Sequence, residues 1–249
     1  MSHLSSLKTN GIVIKRMDFG EADRILTILT ERFGKIKAIA KGVRKSTSKL
    51  GGHLEPFMIV DFQLHEGKTF FTITGASIIS EFPCLHAELP KMAKAYVAGE
   101  LIDNFLHENE KSETTYKILT QMLELVENNE KNFLINAFAL KLIETSGFQP
   151  EFYDCVHCKE KITEGENFWD NLEGGVICED CVQESGHGVK ISNEFIKSLR
   201  FIEQNDFPQI EKLKLNKSLE DEIDRILENY IRSILDKNIK SKKFLNNVK

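Results

Sequence analysis

Phe33-Gly34-Lys35-Ile36-Lys37-Ala38-Ile39-Ala40-Lys41-Gly42-Val43-Arg44-Lys45 is the stretch on which the fold turns. It alternates as a strand does, with Lys35, Lys37 and Lys41 on one face and Ile36, Ala38 and Ala40 on the other. It then runs into a small-residue basic loop, Gly42-Val43-Arg44-Lys45-Ser46-Thr47-Ser48-Lys49. Upstream, Gly11–Arg16 and Ala22–Thr30 read as strands, with Phe33-Gly34 at the turn that follows. Downstream, Phe57–His65 and Thr69–Ile79 read as two more, joined by the turn Glu66-Gly67-Lys68. Short strands broken by Gly-containing turns make a small barrel or sandwich. Five of them in roughly 70 residues fit the OB-fold, a partly open barrel used for oligonucleotides. The second strand is ambiguous, because Ile25, Leu26, Ile28 and Leu29 also suit a short helix.

Pro83 and Pro90 bracket a change of character. Met92–His107, Tyr116–Val126 and Phe133–Ile143 carry apolar residues at helical spacing, and Ser146-Gly147 with Pro150 stops the third. Ser192–Glu203 and Leu219–Leu235 are helical again, and Ser218 with Asp221 reads as a capping pair. Between them, residues 151–189 break the pattern and hold four of the five cysteines and the only tryptophan, Trp169. The expected architecture is α+β. An OB-fold nucleic-acid-binding domain spans residues 1–82. A helical domain spans 83–249 and is interrupted by a zinc-binding segment at 151–189.

The cysteines form two pairs, Cys155-Val156-His157-Cys158 and Cys178-Glu179-Asp180-Cys181, with 19 residues between them. That spacing fits a two-knuckle zinc site. Each CxxC turn presents two thiolates to one ion, and two turns complete a tetrahedron. Four protein ligands leave no open position, so one structural Zn2+ is expected to clamp a segment too small for its own core. The competing readings are two coincidental buried pairs or a redox dithiol. A redox CxxC is normally single and opens a helix in a βαβ unit. His157 reads as a surface residue inside the first knuckle, and Cys84 as a small buried apolar side chain.

The 33 Lys and Arg against 38 Asp and Glu give a net charge of -5, which alone argues against a nucleic-acid binder. The distribution argues the other way. From Arg32 to Leu54 there is no Asp or Glu, while Arg32, Lys35, Lys37, Lys41, Arg44, Lys45 and Lys49 stand in that window. The functional reading is a salt-sensitive, sequence-independent track for single-stranded nucleic acid, for which Lys35, Lys37, Lys41, Arg44, Lys45 and Lys49 are the candidates. The bland alternative is a solvated strand face with a disordered loop. Of the nearby aromatics Phe57, Phe62, Phe70 and Phe71, most are expected in the core. A second cluster, Lys237, Lys240, Lys242, Lys243 and Lys249 around Phe244-Leu245, reads equally as a frayed tail or a partner-binding segment.

No apolar run approaches the roughly 20 residues a membrane helix needs, and Met1–Lys8 has none suited to a signal peptide. A cytoplasmic, nucleoid-associated protein with reduced thiols is expected.

Several strings resemble the RecO family of bacterial recombination mediators. They are Gly11-Ile12-Val13-Ile14, Glu21-Ala22-Asp23-Arg24-Ile25-Leu26, and Gly34 with Ala40-Lys41-Gly42-Val43-Arg44-Lys45. Gly99-Glu100-Leu101-Ile102-Asp103, Gly147-Phe148-Gln149-Pro150 and Lys240-Ser241-Lys242-Lys243-Phe244-Leu245 complete the set, in an order and spacing that run through nearly the whole chain. The resemblance implies DNA repair and homologous recombination through binding of single- and double-stranded DNA on the basic face of the barrel, and annealing of complementary strands. It implies loading of RecA, with RecR and in some settings RecF, on DNA coated with single-strand-binding protein. It further implies that the helical domain contacts the acidic C-terminal tail of that protein. Lys35, Lys37, Lys41, Arg44 and Lys45 fall on the family's basic strand and loop, and Cys155, Cys158, Cys178 and Cys181 on its zinc ligands.

An enzyme is not expected. His86-Ala87-Glu88 looks like the HxE of zinc deaminases, but Asp154 and Ile177, not Pro, precede the CxxC pairs. There is no GxxxxGK[ST], GxGxxG or GxSxG string. The remaining rival is an OB-fold and zinc-ribbon RNA-binding accessory factor of translation or transcription.

Overall fold

The computed structural model describes residues 6–248. Met1–Ser5 of the N-terminal stretch and Lys249 of the terminal lysine cluster lie outside the described residues. β1 (Ser6–Phe19) is long enough to pair on both edges. Ser6–Ile12 runs antiparallel to β4 (Ile59–His65), and Gly11–Phe19 runs antiparallel to β2 (Asp23–Thr30). A bulge between Val13 and Lys15 lies just past the handover, where an extra residue bends and twists the strand. β3 (Gly34–Ala40) follows β2. β5 (Phe71–Ser80) pairs antiparallel with β4 and parallel with β3. The order β1-β2-β3-β5-β4 closes on itself, which is the five-stranded OB-fold barrel the sequence points to.

The barrel is filled by Val13, Leu26, Ile28, Ile36, Ala38, Ala40, Val60, Phe62, Leu64 and Ile73, none more than 4% exposed. The ambiguity of β2 has its cause here. Leu26 and Ile28 enter the barrel core while Ile25 and Leu29, on the opposite face, are also buried. A strand covered on both sides shows no alternation. Gly34, the first residue of β3 after the turn from β2, has φ +68°, and a Cβ there would lie 1.7 Å from the carbonyl oxygen of Glu110. No L side chain fits.

α1 (Pro83–Ala87), α2 (Leu89–Phe105) and α3 (Glu113–Asn128) follow the barrel. α2 packs on β1 at Gly99, where a Cβ would lie 3.0 Å from the carbonyl of Ile14 and 3.1 Å from the Phe57 ring. The Ser112 hydroxyl caps α3 by accepting from Thr115 N. Cys84 is exposed on α1, not buried as its composition suggests, because α1 turns that position to solvent.

α4 (Phe133–Thr145) is buried from Phe133 to Leu140, as a helix at the centre of a unit is. It packs against α6 (Asn193–Gln204) and α8 (Lys217–Leu235), with the short α7 (Phe207–Ile210) between those two. Between α4 and α6 the chain forms a small sheet of β6 (Asn167–Asp170), β7 (Gly175–Cys178) and β8 (Val189–Ile191), with α5 (Glu179–Ser185) after β7. Trp169 is fully buried, with ring centroids 6.0 Å from Phe152, 6.1 Å from Phe195 and 5.4 Å from Tyr230. The expected Ser218–Asp221 cap is not the one used. Asn216 accepts from Leu219 N at 2.9 Å, and so begins the helix two residues earlier.

The C-terminal lysine segment is α9 (Lys240–Val248), which packs on α2. The Glu100 carboxylate accepts from Lys240 N at 2.9 Å, Ser241 N at 2.7 Å and Ser241 Oγ at 2.6 Å. A carboxylate at a helix N-terminus satisfies orphan N–H groups and complements the helix dipole. Described residues up to Asn129, together with those from Lys240 onward, form one compact unit. Glu130–Ile239 form another. Among the described residues, no helix is long and apolar enough to cross a membrane.

Candidate nucleic-acid interface and thiol cluster

The basic window divides at the end of β3. Lys35 is 8% exposed, and its Nζ donates to the Asp103 carbonyl at 2.6 Å and to Asp103 Oδ1 at 3.3 Å. Lys15 reaches the other oxygen of the same carboxylate at 2.7 Å. Burial pushes the Asp103 carboxyl up, but these two ammonium groups outweigh it and hold the carboxyl below its ordinary value. Lys37 is exposed and lies 2.8 Å from Glu108, whose carboxylate raises the lysine's pKa. The basic strand face expected from alternation is therefore neutralised at Lys35 and Lys37 and left open at Lys41. The end of α2 and the segment after it bring carboxylates over the first two.

The loop is different. Gly42 N donates to Asp23 Oδ1 at 2.7 Å and Arg44 N to the Ala22 carbonyl at 2.9 Å, which anchors the loop's root on β2 and the turn before it. Lys45 N to Gly42 O and Ser48 N to Lys45 O close two successive turns. Arg44 is half-committed, with Nη1 on the Gly20 carbonyl and Nε 3.4 Å from Asp18. Lys41, Lys45 and Lys49 are exposed and have no ion-pair partner among the described residues. Of the six candidates, these three offer unneutralised charge, and the exposed Ser46 and Thr47 stand between them.

Phe57 and Phe62 are core residues, while Phe70 and Phe71 are half-buried. Sequence reasoning missed Phe33, which is half-buried with its ring 6.3 Å from Phe71 and the Arg32 guanidinium 5.5 Å from its centroid. It also missed Met17 and Phe19, exposed at the end of β1. Their alternation along one face was the available signal. His86 of the deaminase-like string bridges the carbonyls of Phe82 and Pro56, each at 2.9 Å, and joins no metal-ligand cluster among the described residues.

Cys155, Cys158, Cys178 and Cys181 converge, with all four sulfurs within 4.8 Å of one another and Cys158 Sγ 3.8 Å from Cys178 Sγ. Metal–sulfur bonds of about 2.3 Å in a tetrahedron set sulfurs roughly 3.8 Å apart, so the four fit a single metal ion. Burial pushes the Cys155 thiol up, but N–H groups of Cys178, Cys158 and His157 directed at its sulfur bring it down to about 6. Burial and the neighbouring thiols push Cys181 up. Four ionised thiols so close repel one another unless a cation stands among them.

Barrel, helical unit and thiol cluster together define a class: a protein with an oligonucleotide-type OB barrel joined to helices that carry a four-cysteine metal-ligand set. The chain matches "Recombination protein O N terminal" over residues 1–82 and "Recombination protein O C terminal" over residues 86–243. It is 35% identical over 242 residues to a DNA repair protein RecO of Dehalococcoides mccartyi, covering 97% of this chain and 95% of that one. It is 30% identical over 244 residues to the DNA repair protein RecO of a Thermoanaerobacter species, covering 97% and 98%. The chain belongs to the RecO family of DNA repair proteins.

Proposed function

We propose that this chain is a non-enzymatic recombination mediator that holds single- and double-stranded DNA through the loop Lys41–Lys49. It anneals complementary strands and, with RecR and in some settings RecF, helps load RecA on DNA covered by single-strand-binding protein. The acidic C-terminal tail of that protein is the segment its helices contact, and its place is the nucleoid in the cytoplasm. The observation that carries this reading is the set Lys41, Lys45 and Lys49, exposed and without carboxylate partners among the described residues, where the other barrel cations are largely paired. Three ammonium groups spaced along a loop with exposed backbone and hydroxyls follow a phosphate chain without reading bases. Catalysis is not required, because annealing needs only that two strands be neutralised and held together.

The thiol cluster holds one Zn2+ in this reading, and the ion closes residues 151–189 around four sulfurs. Cys155, with its N–H contacts, supplies the most readily ionised ligand. Cys155→Ser is expected to lose the metal and lower the melting temperature of the Glu130–Ile239 unit while leaving oligonucleotide affinity largely intact. Metal analysis with thermal unfolding reads both.

The decisive experiment mixes complementary oligonucleotides coated with single-strand-binding protein and follows duplex formation. Wild-type protein is expected to accelerate it, and Lys41→Ala/Lys45→Ala/Lys49→Ala is not. Equal acceleration by both proteins means another surface carries the DNA. No acceleration by either removes the mediator reading.

A further inference from the structure

β6 ends in Asp170, a carboxylate with only 1% of its side chain exposed. Its Oδ1 accepts the backbone N–H of Leu172 at 2.8 Å and of Glu173 at 3.2 Å, which fixes the plane of the group. Oδ2 is left facing two imidazoles, with His157 Nε2 and His187 Nε2 each 3.0 Å away. His157 comes from the first knuckle and His187 from the connection between α5 and β8. The donor atoms of all three lie within 4.8 Å of one another.

The second ring nitrogen of His187 is also committed. Nδ1 lies 3.1 Å from the Ser185 carbonyl, which can only accept. A neutral imidazole has a single N–H. With that hydrogen on Nδ1, the Nε2 of the neutral ring points its lone pair at a carboxylate oxygen, and the contact is satisfied either by a second proton on the ring or by a cation held between the two atoms. Nδ1–H on a backbone carbonyl with Nε2 free is the arrangement that metal-bound histidines adopt. In a tetrahedron, metal–donor bonds of about 2.0–2.2 Å set neighbouring nitrogen and oxygen ligands roughly 3.3–3.6 Å apart, so the two 3.0 Å contacts open by a few tenths of an ångström to admit an ion.

We propose that His157, Asp170 and His187 form a second metal site, distinct from the four thiols, for a borderline divalent ion such as Zn2+, Co2+ or Ni2+. Two imidazoles and a carboxylate suit these ions, while four thiolates select softer coordination. Three protein ligands leave a coordination position open. An open cleft of about 350 Å³ lined by His157, Cys158, Cys181, Glu184 and Ser185 borders the trio at His157. Both imidazoles are exposed, so this ion exchanges readily, unlike one enclosed by four sulfurs. The proposal does not depend on DNA binding.

The test uses the full chain with its thiol cluster loaded with Zn2+ and titrates Co2+ alone. The expected result is uptake of a further equivalent, with visible d–d absorption and no thiolate-to-cobalt charge-transfer band. His187→Ala and, should that variant fold poorly, His187→Gln are expected to lose this equivalent and keep the thiol-bound Zn2+. Asp170→Asn is expected to weaken it by about tenfold or more. Three results overturn the site: no further equivalent in the wild type, a charge-transfer band showing that cobalt has entered the thiol cluster, or uptake unchanged in both His187 variants. The first leaves the trio as a protonated imidazole–carboxylate pair only.

Discussion

Lys35 and Lys49 belong to the same acid-free run of sequence, yet they do opposite work. Lys35 is buried against Asp103 and serves the packing of α2 on the barrel, while Lys49 stands in solvent. Lys37 and Lys45 repeat the contrast, one on Glu108 and the other unpaired among the described residues. The difference is made by residues far away in sequence, since the carboxylates arrive on α2 and the segment after it. A run of positive charge in a sequence is therefore not yet a surface potential.

Removing the loop charges tests this division most strongly. Lys41→Ala/Lys45→Ala/Lys49→Ala is expected to weaken oligonucleotide binding on the order of a hundredfold, whatever the sequence. The plot of log affinity against log salt should become shallower by about two to three units. Fluorescence anisotropy over a salt series measures both.

The strand gives the converse. Lys35→Ala is expected to lower stability by about 2 kcal/mol, because a buried charged hydrogen bond is lost, and to leave the salt slope unchanged. A changed slope would place DNA on the strand and end the division. Glu108→Gln sharpens it from the other side. Lys37, no longer held by Glu108, becomes available to phosphate, and the slope is expected to steepen by at most about one unit.

The smallest effect is in acid. Asp103 ionises below its ordinary value in the folded chain, so its stabilisation is complete above about pH 4 and is lost as the pH falls through the lowered folded value. In Asp103→Asn, which carries no such titration, the fall in melting temperature below that pH should be shallower than in the wild type.

How far the fold is legible follows the same line. Strand alternation, Gly34 at its turn and the helical spacings are local, and the barrel and helices stand where they point. The four cysteines are legible because ligand spacing is itself local. The covering of Lys35 is not, since nothing near Lys35 announces Asp103. The string Gly99-Glu100-Leu101-Ile102-Asp103 carries only a family resemblance as sequence. In the fold, Gly99 allows the close approach to β1, Glu100 caps α9, and Asp103 pairs with Lys15 and Lys35. The meeting of His187 with Asp170 is invisible in the sequence because it depends on how β6 and the end of α5 pack.

Glu100 has a consequence for biosynthesis. The helix it caps belongs to the same compact unit as the barrel, yet it is translated after everything that separates them. A ribosome will have released the whole of Glu130–Ile239, thiols included, before α2 can receive its partner. The middle of this chain can mature ahead of its beginning, and deleting α9 disturbs the N-terminal half of the protein.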